Sequence, residues 1–116
     1  MAAQMSGDFS GTNVIDQKFI DDVVERLVKI EPAKIILFGS YADGTAHADS
    51  DVDILVIKTS VGSKIKEMIA ARKLLKGLKK PFDVIVTTIA EFEFYRNQVN
   101  SVHHAADKSG HLIYGR

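Results

Sequence analysis

Two apolar runs constrain this chain more than anything else in it: Ile35-Ile36-Leu37-Phe38, and Val52 to Ile57 interrupted only by Asp53. Both are too continuous for half-exposed edges and read as buried central strands. The first ends at Gly39-Ser40; the second begins at Ser50-Asp51-Val52-Asp53. Alternate residues of a strand share a face, which puts Asp51 and Asp53 on one side, about 6.5–7 Å apart at Cα. A carboxylate pair beside apolar strand residues is costly unless a cation neutralises it. Hard divalent ions such as Mg²⁺ take oxygen ligands, so the pair reads as a metal site. At Gly39-Ser40 a bare backbone and a hydroxyl can approach a phosphate at the start of a short helix. Phosphate binder and metal carboxylates together point to phosphoryl or nucleotidyl transfer.

The rest of the chain supplies a frame for these two strands. Residues 1–12 are small and polar and read as a flexible lead-in, followed by a single domain over 13–116. Ile15, Phe19, Ile20, Val23, Val24, Leu27 and Val28 recur at helical spacing, with Asn13 as cap and Pro32 as stop. Strands are expected at Lys34–Phe38, Val52–Ile57 and Phe82–Thr87, with one helical turn at Ser40–Asp43. Lys64–Leu78 reads as a helix with Ile65, Met68, Ile69, Leu74, Leu75 and Leu78 on one side and Lys64, Lys66, Arg72, Lys73 and Lys76 on the other. Ile89–Gln98, capped by Thr88, and Val102–Lys108, closed by a left-handed Gly110, read as two more. Leu112-Ile113-Tyr114 packs back as a short extended piece. Alternating helices and strands predict an α/β fold, a small mixed sheet flanked by helices.

Composition bounds the function. With 116 residues the chain can bury one modest core. Fifteen Lys and Arg balance fifteen Asp and Glu, so no global field draws it to nucleic acid, which is not expected as a partner. Cysteine is absent, which removes thiolate metal sites and fits a reducing, cytoplasmic location. No apolar run approaches a membrane span.

Gly39-Ser40-x-x-x-Gly44 followed by Ser50-Asp51-x-Asp53 resembles the signature of the polymerase-beta-like nucleotidyltransferase superfamily, and the short chain resembles its minimal (MNT) branch. Pro81-Phe82-Asp83 stands where that family carries a third carboxylate, and residues 101–114 are similar to its closing segment. The resemblance implies that Asp51 and Asp53 hold two Mg²⁺ ions. Asp83 would complete the one that activates the attacking hydroxyl. Gly39, Ser40 and Ser50 are the implied nucleotide-binding residues. It further implies transfer of AMP from ATP to a hydroxyl. Larger relatives carry an added acceptor-binding domain for which a chain of this length is expected to have no room. The acceptor site would therefore be borrowed within a homo- or hetero-oligomer, or the acceptor would itself be a protein. Relatives of this branch commonly partner a helical HEPN-domain RNase toxin, and some act as antitoxins by adenylylating a tyrosine on it. No HEPN-like Arg-x-x-x-x-His occurs here, so such a toxin is a separate protein. Two rivals are a non-catalytic module that neutralises a partner by contact, and a transferase acting on a small molecule such as an aminoglycoside.

One position departs from the family pattern: Asp43 stands where many members carry arginine. Lys58, the cations of 64–76, or Arg96 are the alternative sources of positive charge. His103, His104 and His111 are expected in surface or packing roles, because adjacent histidines on a helix diverge. Phe92, Phe94 and Tyr95 are expected in the core or facing a partner.

Overall fold

A computed structural model describes residues 15–47 and 49–115. The expected lead-in and the Asn13 cap lie outside them. Helix α1 spans Gln17–Leu27 and is capped by Asp16, whose carboxylate accepts from the Phe19 N–H at 2.9 Å. A 3-10 turn, Val28–Ile30, and a left-handed Glu31 bring the chain to Pro32. Strand β1 (Lys34–Phe38), the single-turn helix α2 (Ser40–Asp43) and strand β2 (Val52–Lys58) follow. Helix α3 (Lys64–Leu75) leads to strand β3 (Phe82–Thr88), helix α4 (Ile89–Tyr95), helix α5 (Val102–Ser109) and strand β4 (His111–Tyr114).

The four strands form one mixed sheet in the order β3-β2-β1-β4. β1 is antiparallel to both β2 and β4, while β2 and β3 run parallel through the α3 crossover. The two long apolar runs therefore sit side by side in the middle, as their continuity requires. Helices cover both faces, and alternation along each strand divides the core. Val52, Ile54, Val56, Val84 and Val86 pack with Ile20, Val23 and Leu27 of α1 and Ala71 and Leu75 of α3. Ile36, Phe38, Leu55 and Ile57 pack with Phe92 of α4 and Ala106 of α5 on the other face. Each such fully buried aliphatic contributes about 1.5–3 kcal/mol of burial. Among the described residues no helix is long and apolar enough to cross a membrane.

Three local expectations are corrected. Helix α3 ends at Leu75 rather than Leu78: Lys76 turns extended and Gly77 is left-handed, while Arg26 of α1 donates to the Leu74 and Lys76 carbonyls at 2.9 and 2.8 Å. Its Ile65 and Ile69 are 71% and 50% exposed, because the face packed on the sheet is that of Ala71 and Leu75. Helix α4 stops at Tyr95, short of Gln98; its Thr88 cap is present, as a capping box with Glu91. Gly110 is extended rather than left-handed. It is needed for space: a Cβ there would stand 2.4 Å from the Ala106 carbonyl oxygen, 2.6 Å from Ile36 Cγ2 and 3.0 Å from the Leu37 oxygen. Two of those atoms are backbone and cannot swing away. Gly110→Ala is accordingly expected to lower stability by about 1–3 kcal/mol, read as a lower urea midpoint at unchanged slope.

Candidate active site

Register places the carboxylates. Asp53 pairs with Phe38 across β1 and with Asp83 across β3, one strand spacing (about 4.8 Å) away. Alternation sends Val52, Ile54 and Val84 to the α1 layer, so Asp51, Asp53 and Asp83 share the opposite face, at the end of the sheet where β1 stops. Asp51 and Asp83 are exposed and Asp53 is half-buried.

Gly39 completes the constellation. Its φ of 76° and ψ of −155° lie in a region open essentially to glycine. A Cβ on it would fall 2.0 Å from Asp53 Oδ2. The turn that starts α2 therefore lies directly on the Asp53 carboxylate, a contact that sequence spacing did not reveal. Gly39 is the N-cap of α2, Ser40 its first residue, and Gly44 its left-handed C-cap. The Ser50 hydroxyl accepts from the His47 N–H at 2.9 Å, tying down the loop that returns the chain to Asp51.

The electrostatics follow from this packing. Asp53 is raised from 3.8 to about 6, first by desolvation, then by the negative charges of Asp83 and Asp51. Asp83 is drawn instead toward Arg72 of α3, at 3.8 Å. Asp83 is half-exposed, because β3 is an edge strand and Arg72 reaches round it. Among the described residues no three acidic or imidazole groups already converge as a closed metal cage. The donor set nevertheless suits Mg²⁺: all oxygen, and mutually repulsive enough to raise Asp53, a cost that a divalent cation removes.

The remaining positions sort themselves by their contacts. Asp43 accepts from the Thr45 N–H and hydroxyl at 3.0 and 2.6 Å, closing its own turn. Lys58 is occupied by the Ile30 carbonyl and Glu67, and Arg96 by Glu93 and Asp107. Cations that do approach the site are Arg72 and Lys80, the latter 3.3 Å from the Tyr41 hydroxyl and over its ring. Lys80 lies 39 residues from Tyr41, beyond any local pattern. The histidines are dispersed: His103 bonds Thr87, His104 the Arg96 carbonyl, and His111 the Ala42 carbonyl, each at 2.9 Å. Phe92 is buried, while Phe94 and Tyr95 stack edge-to-face on the surface.

A mixed sheet that lays a glycine turn against strand-borne carboxylates has the architecture of a nucleotidyltransferase fold. The family model described as nucleotidyltransferase domain matches residues 17–106, and the chain belongs to that family. It is 39% identical over 70 residues to the protein adenylyltransferase MntA of Shewanella oneidensis, covering 60% of this chain and 49% of that protein. The chain thus spans about half the length of this curated relative. Among solved structures, a toxin-antitoxin with AMP-PNP superposes at TM-score 0.64 and 25% identity, over 84% of this chain and 73% of that one. A tri-AMPylated Shewanella oneidensis HEPN toxin in complex with MNT antitoxin gives TM-score 0.58 at 20% identity, over 86% and 72%, a likeness of fold.

Proposed function

We propose that this chain transfers AMP from ATP to a hydroxyl of a partner protein, releasing pyrophosphate, and that the partner is a HEPN-type toxin which the modification silences. The observation that carries the reading is the contact of the Gly39 turn with Asp53, which makes phosphate binder and metal carboxylate one unit. The names of the adenylyltransferase relative and of the AMPylated toxin complex support the donor and the acceptor class.

In this reading the backbone at Gly39 and Ser40 receives the triphosphate at the start of α2, with Ser50 holding the adjoining loop. Asp51 and Asp53 would hold two Mg²⁺ ions, with Asp83 completing one of them once released from Arg72. Bound Mg²⁺ supplies neutralisation of triphosphate charge and acidification of the acceptor hydroxyl. The hydroxyl oxygen bonds to the α-phosphorus as the bond to the bridging oxygen breaks, pyrophosphate leaves with that electron pair, and Asp83 takes the hydroxyl proton. We place the reaction in the cytoplasm, in keeping with a cysteine-free chain.

Calorimetric titration of ATP with Mg²⁺, and again with chelator, tests the site. Binding is expected to depend on the metal; equal affinity in both removes the hypothesis. Protons compete with Mg²⁺ at Asp53, whose pKa is about 6. Metal affinity should therefore be level above that pH and fall roughly tenfold per pH unit below it.

A further inference from the structure

A recess of about 310 Å³ opens at the β3 edge, where α3 ends and the chain turns into the strand. Leu75, Leu78 and Phe82 form its apolar floor, and Arg72, Lys76 and Lys80 supply three positive charges. Among the described residues the only acid paired with any of the three is Asp83, with Arg72, at a loose 3.8 Å. Lys80 rests on Tyr41, a neutral partner, so its charge stays uncompensated. The end of a helix would ordinarily repel an anion through its free carbonyls. Here Arg26 already bonds those of Leu74 and Lys76, so that the repulsion is countered.

Position decides which anion fits. Gly39-Ser40 lies against Asp53, on the carboxylate face of the sheet. Phe82 belongs to the α1 layer, stacked on Phe19 at 5.8 Å, while the carboxylates face the other side. The recess thus lies at the β3 edge on the other face of the sheet, joined to Asp83 through Arg72 and to the underside of α2 through Lys80 and Tyr41. In the transferase reading an acceptor hydroxyl would reach Asp83 along this edge. The volume of the recess is at the lower bound of small-ligand pockets, about 300 Å³, enough for one or two acidic side chains.

We propose that this recess receives an acidic side chain next to the acceptor hydroxyl, and so selects acceptor proteins in which that hydroxyl is flanked by glutamate or aspartate. The assignment rests on the transferase reading above. A carboxylate seated there competes with Asp83 for Arg72 and leaves Asp83 free for its role at the metal.

The test is binding of a dye-labelled tyrosine peptide flanked by glutamates, and of its glutamine twin, to the full chain at low ionic strength. Chelator is present and ATP absent. The acidic peptide is expected to bind at least about tenfold more tightly than the twin. The Lys76→Gln/Lys80→Gln double variant should erase that difference, while Lys73→Gln, on α3 but outside the recess, should keep it. Equal binding of the two peptides to the parent overturns the proposal, as does a preference that survives in the double variant. Pyrophosphate binding at the same lysines as tightly as the acidic peptide makes this a phosphate site and also overturns it. Since the assay uses neither ATP nor Mg²⁺, its result is separate from failure of AMP transfer.

Discussion

Asp53→Asn is expected to abolish AMP transfer while raising the melting temperature of the metal-free protein above pH 6. Asparagine keeps the shape and one acceptor oxygen but removes the charge that would hold Mg²⁺. The loss should exceed the about 10–100-fold cost of mutating outer-shell partners of a metal. Stability moves the other way. Folded Asp53 titrates at about 6, against 3.8 for an ordinary aspartate, so between those values the folded chain holds a proton that the unfolded one has released. Stability consequently falls as pH rises from about 4 to 6, and the destabilisation persists above that. The variant escapes it, by about 1–2 kcal/mol after allowance for the exposed part of the side chain. Thermal unfolding at pH 7.5 and pH 4 checks this: the advantage should be present at the first and gone at the second. Mg²⁺ should raise the melting temperature of the parent and leave the variant where it is. Co-expression with the partner separates catalysis from contact. Full protection by Asp53→Asn with no nucleotide mass on the partner would sink the catalytic reading and favour the binding module.

Gly39→Ala is expected to damage both stability and activity. An alanine at φ 76° and ψ −155° is strained by about 1–3 kcal/mol, whatever space is available. Its methyl would also meet Asp53 Oδ2 at 2.0 Å. The carboxylate can swing aside, but only out of the position proposed for metal and phosphate. A lower urea midpoint together with loss of Mg²⁺-dependent ATP binding is the expected pair of results. Loss of stability with binding intact would show that the contact of turn and carboxylate serves packing alone.

The sheet was legible because its signals are local. Lys34–Phe38 is observed with the predicted bounds, and β2 and β3 each run one residue beyond prediction. Long apolar runs between turn residues leave little choice. The errors fell where a pattern admits two environments. Ile65 and Ile69 repeat at helical spacing, yet periodicity identifies a face without saying whether anything covers it. A glycine just past a helix end, as Gly110 is, suggests a left-handed cap, whereas a crowded extended backbone demands glycine just as strictly. At the site, strand alternation foretold that Asp51 and Asp53 share a face. That Gly39 touches Asp53, that Arg72 reaches Asp83 and that Lys80 rests on Tyr41 are tertiary facts, set by register and by an edge strand that a side chain can reach around.

The pairing of β1 with β4 bears on how the chain is made. Ile36 and Leu37 hydrogen-bond on one side to a strand some twenty residues on, but on the other to Leu112 and His111, more than seventy residues away. During synthesis at about 5–20 residues per second, that second edge of β1 stays open for several seconds after β1 and β2 have emerged. A nascent chain stalled before residue 111 presents Ile35, Ile36 and Leu37 as an unpaired apolar edge, the template on which chains aggregate. Four residues of β4 thus act as the covering strand of a molecule whose proposed chemistry lies at other strands, and chaperone demand should concentrate in that interval.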